Sequence, residues 1–197
     1  MTGEQRLGMI GTRMDLKLEN RASFPEPLRV LLEQYPREAW EAHRNFGDLV
    51  RFWLSRHVMF RQVIDRMTEE LNKVLWSGGD VHAFRPKLSR LGGLFLQELH
   101  THHNIEDHHY FPQLIGLEPK LDHGFNLLEN DHHEIDALLN GFAETANLVL
   151  KSNPSRERDD LGALEAELRR MNRCLDRHLT DEEELIVPII LKSGFAG

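Results

Sequence analysis

The sequence has one cysteine, no basic block and no long apolar run, and each of these shortages excludes a class of protein. Cys174 is the only cysteine, so the chain cannot form an internal disulfide, and we expect a cytoplasmic location. No apolar stretch approaches the roughly 18 residues that a membrane helix needs, and residues 1–20 lack the apolar segment of a signal peptide. With a net charge of −8, nucleic acid and membrane are not expected partners.

Signals for β-strands are also scarce, because the chain has little β-branched alternation and no Asn-Gly or Asp-Gly turn. Its 197 residues are 40% hydrophobic and 28% charged, enough for one sizeable core. We predict an N-terminal arm and short helix over residues 1–36, irregular to about residue 25, and a helical bundle over 37–197. The predicted long helices span about 37–76, 80 or 86 to 112, 119–151 and 154–191.

Apolar residues recur every three or four positions in each long segment and define one inward face per helix. The four predicted faces are Trp53, His57, Phe60, Ile64, Met67 and Leu71; Leu88, Leu91, Phe95, Leu99, His102 and Glu106; Leu121, Phe125, Leu128, His132, Ile135, Leu139 and Phe142; and Leu161, Leu164, Leu168, Met171, Leu175, His178, Glu182 and Leu185. This spacing predicts an all-α, antiparallel up-down-up-down four-helix bundle.

Histidine or glutamate interrupts every one of these faces. The interrupting residues are His57, His102, Glu106, His132, His178 and Glu182. Burying an unpaired polar group costs a few kcal/mol and a bare carboxylate costs more, so these groups need a shared partner. Mixed imidazole and carboxylate ligands suit iron or manganese, with zinc and copper as competitors. Two carboxylates shared between cations favour a pair of ions over one.

The two halves of the chain repeat this arrangement. His57 precedes His102 by 45 residues, and His132 precedes His178 by 46. A glutamate follows each second histidine by four residues and a proline follows it by ten. Residues four apart lie on one helix face, so each His-x-x-x-Glu pair can hold the same ion or neighbouring ions. We infer two similar helical hairpins packed face to face.

Over about residues 45–191 this repeated pattern resembles the hemerythrin-like, HHE cation-binding proteins. The resemblance implies a non-haem di-iron centre, with zinc or manganese as substitutes, that binds O2, NO or peroxide for sensing, detoxification or oxygen handling. The implied ligands are His57 and His102 on one iron, His132 and His178 on the other, and Glu106 and Glu182 bridging them. No catalytic residue is assigned, and the resemblance does not decide between an enzyme and a binding protein.

The sequence departs from the oxygen carriers of that family, which have a His-x-x-x-His on the third helix. Leu128 stands four residues before His132, so one iron lacks a ligand. We expect a more open site and a reactive role rather than a long-lived oxygen adduct. Glu129 and His133 offer a rival register that the apolar face disfavours, and with His109 they are candidates for the extra ligand.

Most other polar residues near the motifs are expected outside the centre. These are His43, His82, His100, His103, His108, His123, Asp107 and Glu183. Glu98 and Tyr110 are candidates for hydrogen bonds to ligand histidines, and Cys174 is expected to be a buried apolar residue.

Two alternative functions remain open at this point. A ferritin-like iron oxidase or store would use Glu-x-x-His pairs, and Glu106 with His109 and Glu129 with His132 have that spacing. This alternative leaves His57 buried without a role. A metal-free helical interaction module leaves all six inward polar residues unexplained.

Overall fold

The computed structural model describes residues 16–197, and within that range the chain is helical and has no strand. The α-helices are α1 (Val30–Gln34), α2 (Asp48–Trp76), α3 (Val81–Ile105), α4 (Phe111–Leu117), α5 (Asp122–Lys151) and α6 (Glu157–Ser193). A single π-helical turn, Glu106–Tyr110, joins α3 to α4, and short 3₁₀ turns span Glu26–Leu28, Arg37–Ala39 and Pro119–Leu121. None of the described helices has the length and apolarity required to cross a membrane.

Two predicted helix boundaries were wrong. The first long helix begins at Asp48 rather than residue 37, because the extended backbone of Gly47 precedes its first turn. The second predicted helix does not end at Pro112, because the chain passes through the π turn and continues as α4 to Leu117. Pro112 lies in the first turn of α4, where a missing backbone N–H breaks no hydrogen bond.

Local sequence explains the start of α3 and the end of α6. The Asp80 side chain accepts a hydrogen bond from the His82 backbone N–H at 2.8 Å and so caps α3. Gly194 follows α6 with a φ of 74°, a left-handed conformation that favours glycine.

The core consists of two apolar clusters. One cluster contains Phe60, Phe95 and Leu175, and the other contains Trp53, Phe125, Leu128 and Leu185. Along α2, α5 and α6, and along α3 with its continuation into α4, the predicted polar positions lie between residues of the first cluster and residues of the second. The polar groups therefore form one layer with apolar packing above and below.

The four long helices pack as a ring of neighbours: α2 lies against α3 and α6, and α5 lies against the same two helices. This confirms the all-α prediction, whereas the antiparallel order of the helices stays a prediction. Leu91 and His102 are the two predicted face residues that retain some exposure.

Residues 16–47 pack against this bundle. Leu18 is buried in the first apolar cluster, and Phe24, Leu31 and Trp40 are buried in the second. The predicted arm is irregular where it is described, and its residues 1–15 lie outside the described part of the chain. The division of the chain at residue 36 stays a prediction.

Candidate metal centre

Seven histidine and glutamate side chains converge in the polar layer, and they form two groups. The first group is His57, His102, Glu106 and Glu182, and the second is His103, His132 and His178. Within each group, one nitrogen or oxygen atom per residue lies within 4.8 Å of the others. The six residues predicted from sequence are therefore together, with one addition, His103.

Glu182 of α6 connects the two groups. Its Oε1 lies 3.5 Å from Nε2 of His57, and its Oε2 lies 3.5 Å from Nε2 of His178. The indole N–H of Trp53 donates a hydrogen bond to Oε1. Each carboxylate oxygen thus faces a histidine of a different group, which is the geometry that a carboxylate between two cations requires.

Glu106, in the π turn, makes the same connection from the other side. Its Oε1 lies 2.9 Å from Nε2 of His102, and its Oε2 lies 3.7 Å from Nε2 of His132. A π turn inserts one extra residue into a helix and is frequent at functional sites. Here the inserted turn starts at the inward-facing glutamate.

Unsatisfied polar atoms concentrate at these side chains. Among the described residues, eight buried side-chain nitrogen and oxygen atoms have no hydrogen-bond partner, and seven of them belong to the two groups. They are both ring nitrogens of His103, both oxygens of Glu106, Nε2 of His132, Nε2 of His178 and Oε2 of Glu182. Because buried polar groups are normally paired, this donor set fits cations that the groups share.

The prediction that His103 faces solvent was wrong. Only 4% of the residue is exposed, and its ring stacks on that of His132 with centroids 4.0 Å apart. Adjacent helical residues point about 100° apart, so His102 and His103 both reach a wide inward face. The signal was available in the sequence, because His103 follows the buried Leu99 by four residues.

The residues considered as replacements for the missing third-helix ligand lie elsewhere. Glu129, His133 and His109 are exposed, and Leu128 is fully buried in the second apolar cluster. His103 lies beside His132 and His178 instead, so this group has three imidazoles and the reason to expect a more open site there is removed. Other histidines predicted at the surface are exposed, namely His82, His100, His108 and His123, whereas His43 is half-buried.

A carboxylate holds the outer nitrogen of His57. Nδ1 of His57 lies 2.9 Å from Oε1 of Glu183. The same oxygen accepts a hydrogen bond from Arg61 at 3.0 Å, and Oε2 of Glu183 accepts one from Arg37 at 2.6 Å. The prediction that Glu183 is exposed was therefore wrong, since 5% of the residue is accessible. Such a partner fixes the ring so that Nε2 points into the centre.

The second group has equivalent supports. Nδ1 of His132 lies 2.8 Å from Oδ1 of Asp107, which is half-buried rather than exposed as predicted. Nδ1 of His178 lies 3.4 Å from Oδ2 of the buried Asp131. Arg21 in turn pairs with Asp131. Sequence reasoning missed Asp131 and Arg21, whose partners are remote in the chain.

Burial and neighbouring charges shift the pKa values of the two glutamates in opposite directions. Burial, together with the charge of Glu182, raises the pKa of Glu106 well above its usual value. Although burial opposes it, the nearby imidazole of His57 lowers the pKa of Glu182. Burial lowers the pKa of His102 to about 3. Without cations, Glu106 therefore holds its proton to a higher pH than Glu182 does.

A cavity of about 300 Å³ reaches the first group from the surface between α2 and α3. Phe52, Trp53, Ile105 and Tyr110 form its apolar wall, and His102 and Glu106 also line it. Tyr110 packs on Trp53 with ring centroids 4.8 Å apart. At the rim, Glu98 accepts a hydrogen bond from Arg56 at 2.7 Å, so its visible partner is an arginine rather than a ligand histidine.

Comparison with known proteins gives one match. The family model of the hemerythrin HHE cation binding domain matches residues 48–190, more than two thirds of the chain. Neither the curated proteins nor the solved structures that were compared gave a match. All seven residues of the two groups lie within the matched range, whereas Arg21 and Arg37 precede it.

Proposed function

Because the chain belongs to the hemerythrin family of HHE cation-binding domains, we propose that it is a non-haem di-iron protein for a small ligand such as O2, NO or peroxide. The observation that carries the proposal is the pair of glutamates, Glu106 and Glu182, each of which faces a histidine of both groups with separate oxygens. Two adjacent cations would satisfy these oxygens together with the unpaired ring nitrogens.

The ligand assignment follows the two groups. One ion would take His57 and His102, the other would take His103, His132 and His178, and the two glutamates would bridge. A bound ferrous pair supplies electrons and an open coordination position to a small ligand. With one histidine fewer and a cavity beside it, the first group is where we place that position.

The remaining side chains orient this set and exclude water. Glu183, Asp107 and Asp131 hold the outer nitrogens of three histidines, and the Trp53 N–H holds Glu182. The apolar clusters on both sides of the layer leave the cavity as the described approach for a ligand. A preorganised site of this kind supports the binding of a small ligand for sensing, detoxification or oxygen handling.

The ferritin-like alternative has less support. It needs His109 and Glu129 to point inward with Glu106 and His132, but His109 and Glu129 are exposed. It also leaves His57 and His178 without a role, although both are fully buried. A metal-free interaction module leaves the unpaired buried atoms unexplained.

We also propose the antiparallel up-down-up-down order for α2, α3, α5 and α6. Residues 77–80 join α2 to α3, and residues 152–156 join α5 to α6, and short connections favour antiparallel neighbours.

The decisive experiment is anaerobic loading with ferrous iron, followed by metal counting and optical spectra during exposure to air. We expect roughly two irons per chain, as in other di-iron bundles, and a charge-transfer band that forms on oxidation. His57→Ala and His178→Ala should each lower the iron count. The exposed His108→Ala is the matched control. An unchanged count in both site variants would refute the assignment.

A further inference from the structure

We infer that the N-terminal segment, defined here as residues 16–47, positions ligands of the metal centre. Two of its arginines, Arg21 and Arg37, orient the carboxylates that hold His178 and His57. The inference rests on the proposed function, because it assigns these arginines as positioning residues for metal ligands. Both precede the range matched by the family model, so the domain's ligand set depends on a segment outside it.

Arg21 makes the stronger connection. Only 6% of the residue is exposed, and its Nη1 and Nη2 each donate to a different oxygen of Asp131, with Nη1 at 3.1 Å from Oδ1. Its Nε donates to Oδ2 of Asp181 at 2.7 Å. Asp131 in turn contacts Nδ1 of His178. A planar guanidinium that grips one carboxylate with two nitrogens fixes the orientation of that carboxylate.

Nearby contacts hold Arg21 in place. Its Nη1 donates a hydrogen bond to the backbone carbonyl of Leu16 at 2.8 Å. The backbone N–H of Leu18 donates to Glu134 of α5 at 3.2 Å, and the Leu18 side chain is buried in the first apolar cluster. Leu18 before Arg21 and the buried Phe24 after it therefore hold the segment against the bundle, and the guanidinium has little freedom to leave Asp131.

Arg37 makes the equivalent connection to the first group. It donates to Oε2 of Glu183 at 2.6 Å, and Glu183 holds His57 through its other oxygen. Here the support is shared, because Arg61 of α2 donates to that other oxygen at 3.0 Å. The Arg37 side chain is also 45% exposed. Removing Arg37 should therefore have a smaller effect than removing Arg21.

The inference predicts a selective defect. Without Arg21, Asp131 loses both hydrogen bonds that fix its plane, so His178 is no longer held with Nε2 toward the centre. The ion held by His103, His132 and His178 should then dissociate faster, while the ion held by the first group should be less affected.

The test uses the full chain loaded with Co²⁺, whose visible spectrum reports ligand geometry. Arg21→Ala, Arg21→Lys and Arg37→Ala are compared with Glu19→Ala. Glu19 is the matched control, because it lies on the same segment and pairs at the surface with Arg170 and Arg173. The readouts are bound Co²⁺ per chain, the spectrum, and the rate of release to a chelator. A His57→Ala background isolates the three-histidine group.

We expect Arg21→Ala to release the ion of the three-histidine group ~10–100-fold faster than wild type, the range typical for partners of ligand histidines. Its cobalt spectrum should change as well. Arg21→Lys keeps the positive charge but not the paired hydrogen bonds to Asp131. Its release rate should lie between those of wild type and Arg21→Ala. If Arg21→Ala does not fold, Arg21→Lys is the variant that tests the inference. Glu19→Ala should match wild type, and Arg37→Ala should show a smaller acceleration confined to the first group.

Thermal unfolding of the metal-free proteins separates positioning from simple structural support. If Arg21→Ala and Arg21→Lys lower the melting temperature but leave the cobalt spectrum and release rate at wild-type values, the inference is wrong and the proposed function stands. If the wild-type chain binds no Co²⁺ and no iron, the proposed function fails and this inference fails with it.

Discussion

The two groups of the metal centre differ in charge and in access. The first group contains two imidazoles and both glutamates, and it borders the cavity between α2 and α3. The second contains three imidazoles, and His103, His132 and His178 are each at most 4% exposed. Under the proposed function, the first group would therefore bind the small ligand, and the second would hold its ion away from solvent.

The carboxylates that hold the histidines of the two groups also differ in how deeply their arginine partners are buried. Behind His57, Glu183 pairs with two partly exposed arginines, whereas behind His178, Asp131 pairs with the buried Arg21. Buried ion pairs leave an uncompensated charge when one partner is removed, so they tolerate substitution poorly. We therefore expect the second group to be the more rigid and the more sensitive to remote changes.

The largest effect should come from a substitution that affects both groups at once. Glu182 faces both, so under the proposed function Glu182→Gln would remove a negative ligand from each ion at once. We expect the iron content to fall from roughly two per chain to below one. Metal analysis after gel filtration measures this. Glu184→Gln, a half-buried neighbour on the same helix, should retain its iron, and equal loss in both variants would contradict the bridging role.

A smaller change should break the second group alone. His103→Ala removes one of its three imidazoles, so we expect the count to fall from roughly two irons per chain toward one. His100→Ala is the control, because His100 is exposed on the same helix. Iron counting combined with a spectrum of the remaining ion measures the effect. Full retention of iron in His103→Ala would return His103 to a packing role.

A third change should act on the first group without emptying it. Trp53→Phe keeps an aromatic ring in the cavity wall but removes the N–H that donates to Glu182. A hydrogen bond to a charged group contributes about 1.5–3 kcal/mol, so we expect the rate of ferrous oxidation in air to change by ~10-fold or more. Stopped-flow absorbance measures that rate. Trp76→Phe, at an exposed residue, should leave it unchanged.

The smallest effect concerns pH and the metal-free protein. Burial lowers the pKa values of His102, His103 and His178, whereas the neighbouring glutamates, against burial, raise the pKa of His57 to about 8. Below pH 6.5 the unfolded chain binds more protons at these three histidines than the folded chain does, so stability falls with falling pH. Glu106, with its raised pKa, opposes this with one proton.

We expect the melting temperature of the metal-free chain to drop by ~5 °C between pH 6.5 and 5. The contribution of His57 has the other sign, since it is complete below pH 6.5 and is lost as the pH rises through about 8. Scanning calorimetry from pH 5 to 9 measures the loss of stability below pH 6.5 and the loss of the His57 contribution near pH 8. A melting temperature that rises steadily as the pH is lowered would contradict the neutral state of the three imidazoles.

The helices and the inward polar positions were accessible from the sequence because both depend on local spacing. Residues three or four apart share a helix face, so the sequence alone predicts the pairs His102 with Glu106 and His178 with Glu182. The repeat in the two halves then aligned these pairs at one level. The family match is consistent with that pattern, and the described helices place all six predicted residues in one layer.

Only the tertiary structure decided which neighbouring histidines face the centre and which distant residues pair behind it. Both His102 and His103 face the centre, where periodicity had selected one, because the inward face beside the π turn is wide enough for two neighbouring residues. Arg21 and Asp131 are 110 positions apart, and no local pattern relates them. Helical periodicity is a property of neighbouring residues, whereas the pairing of a buried charge depends on which distant segment folds back to meet it.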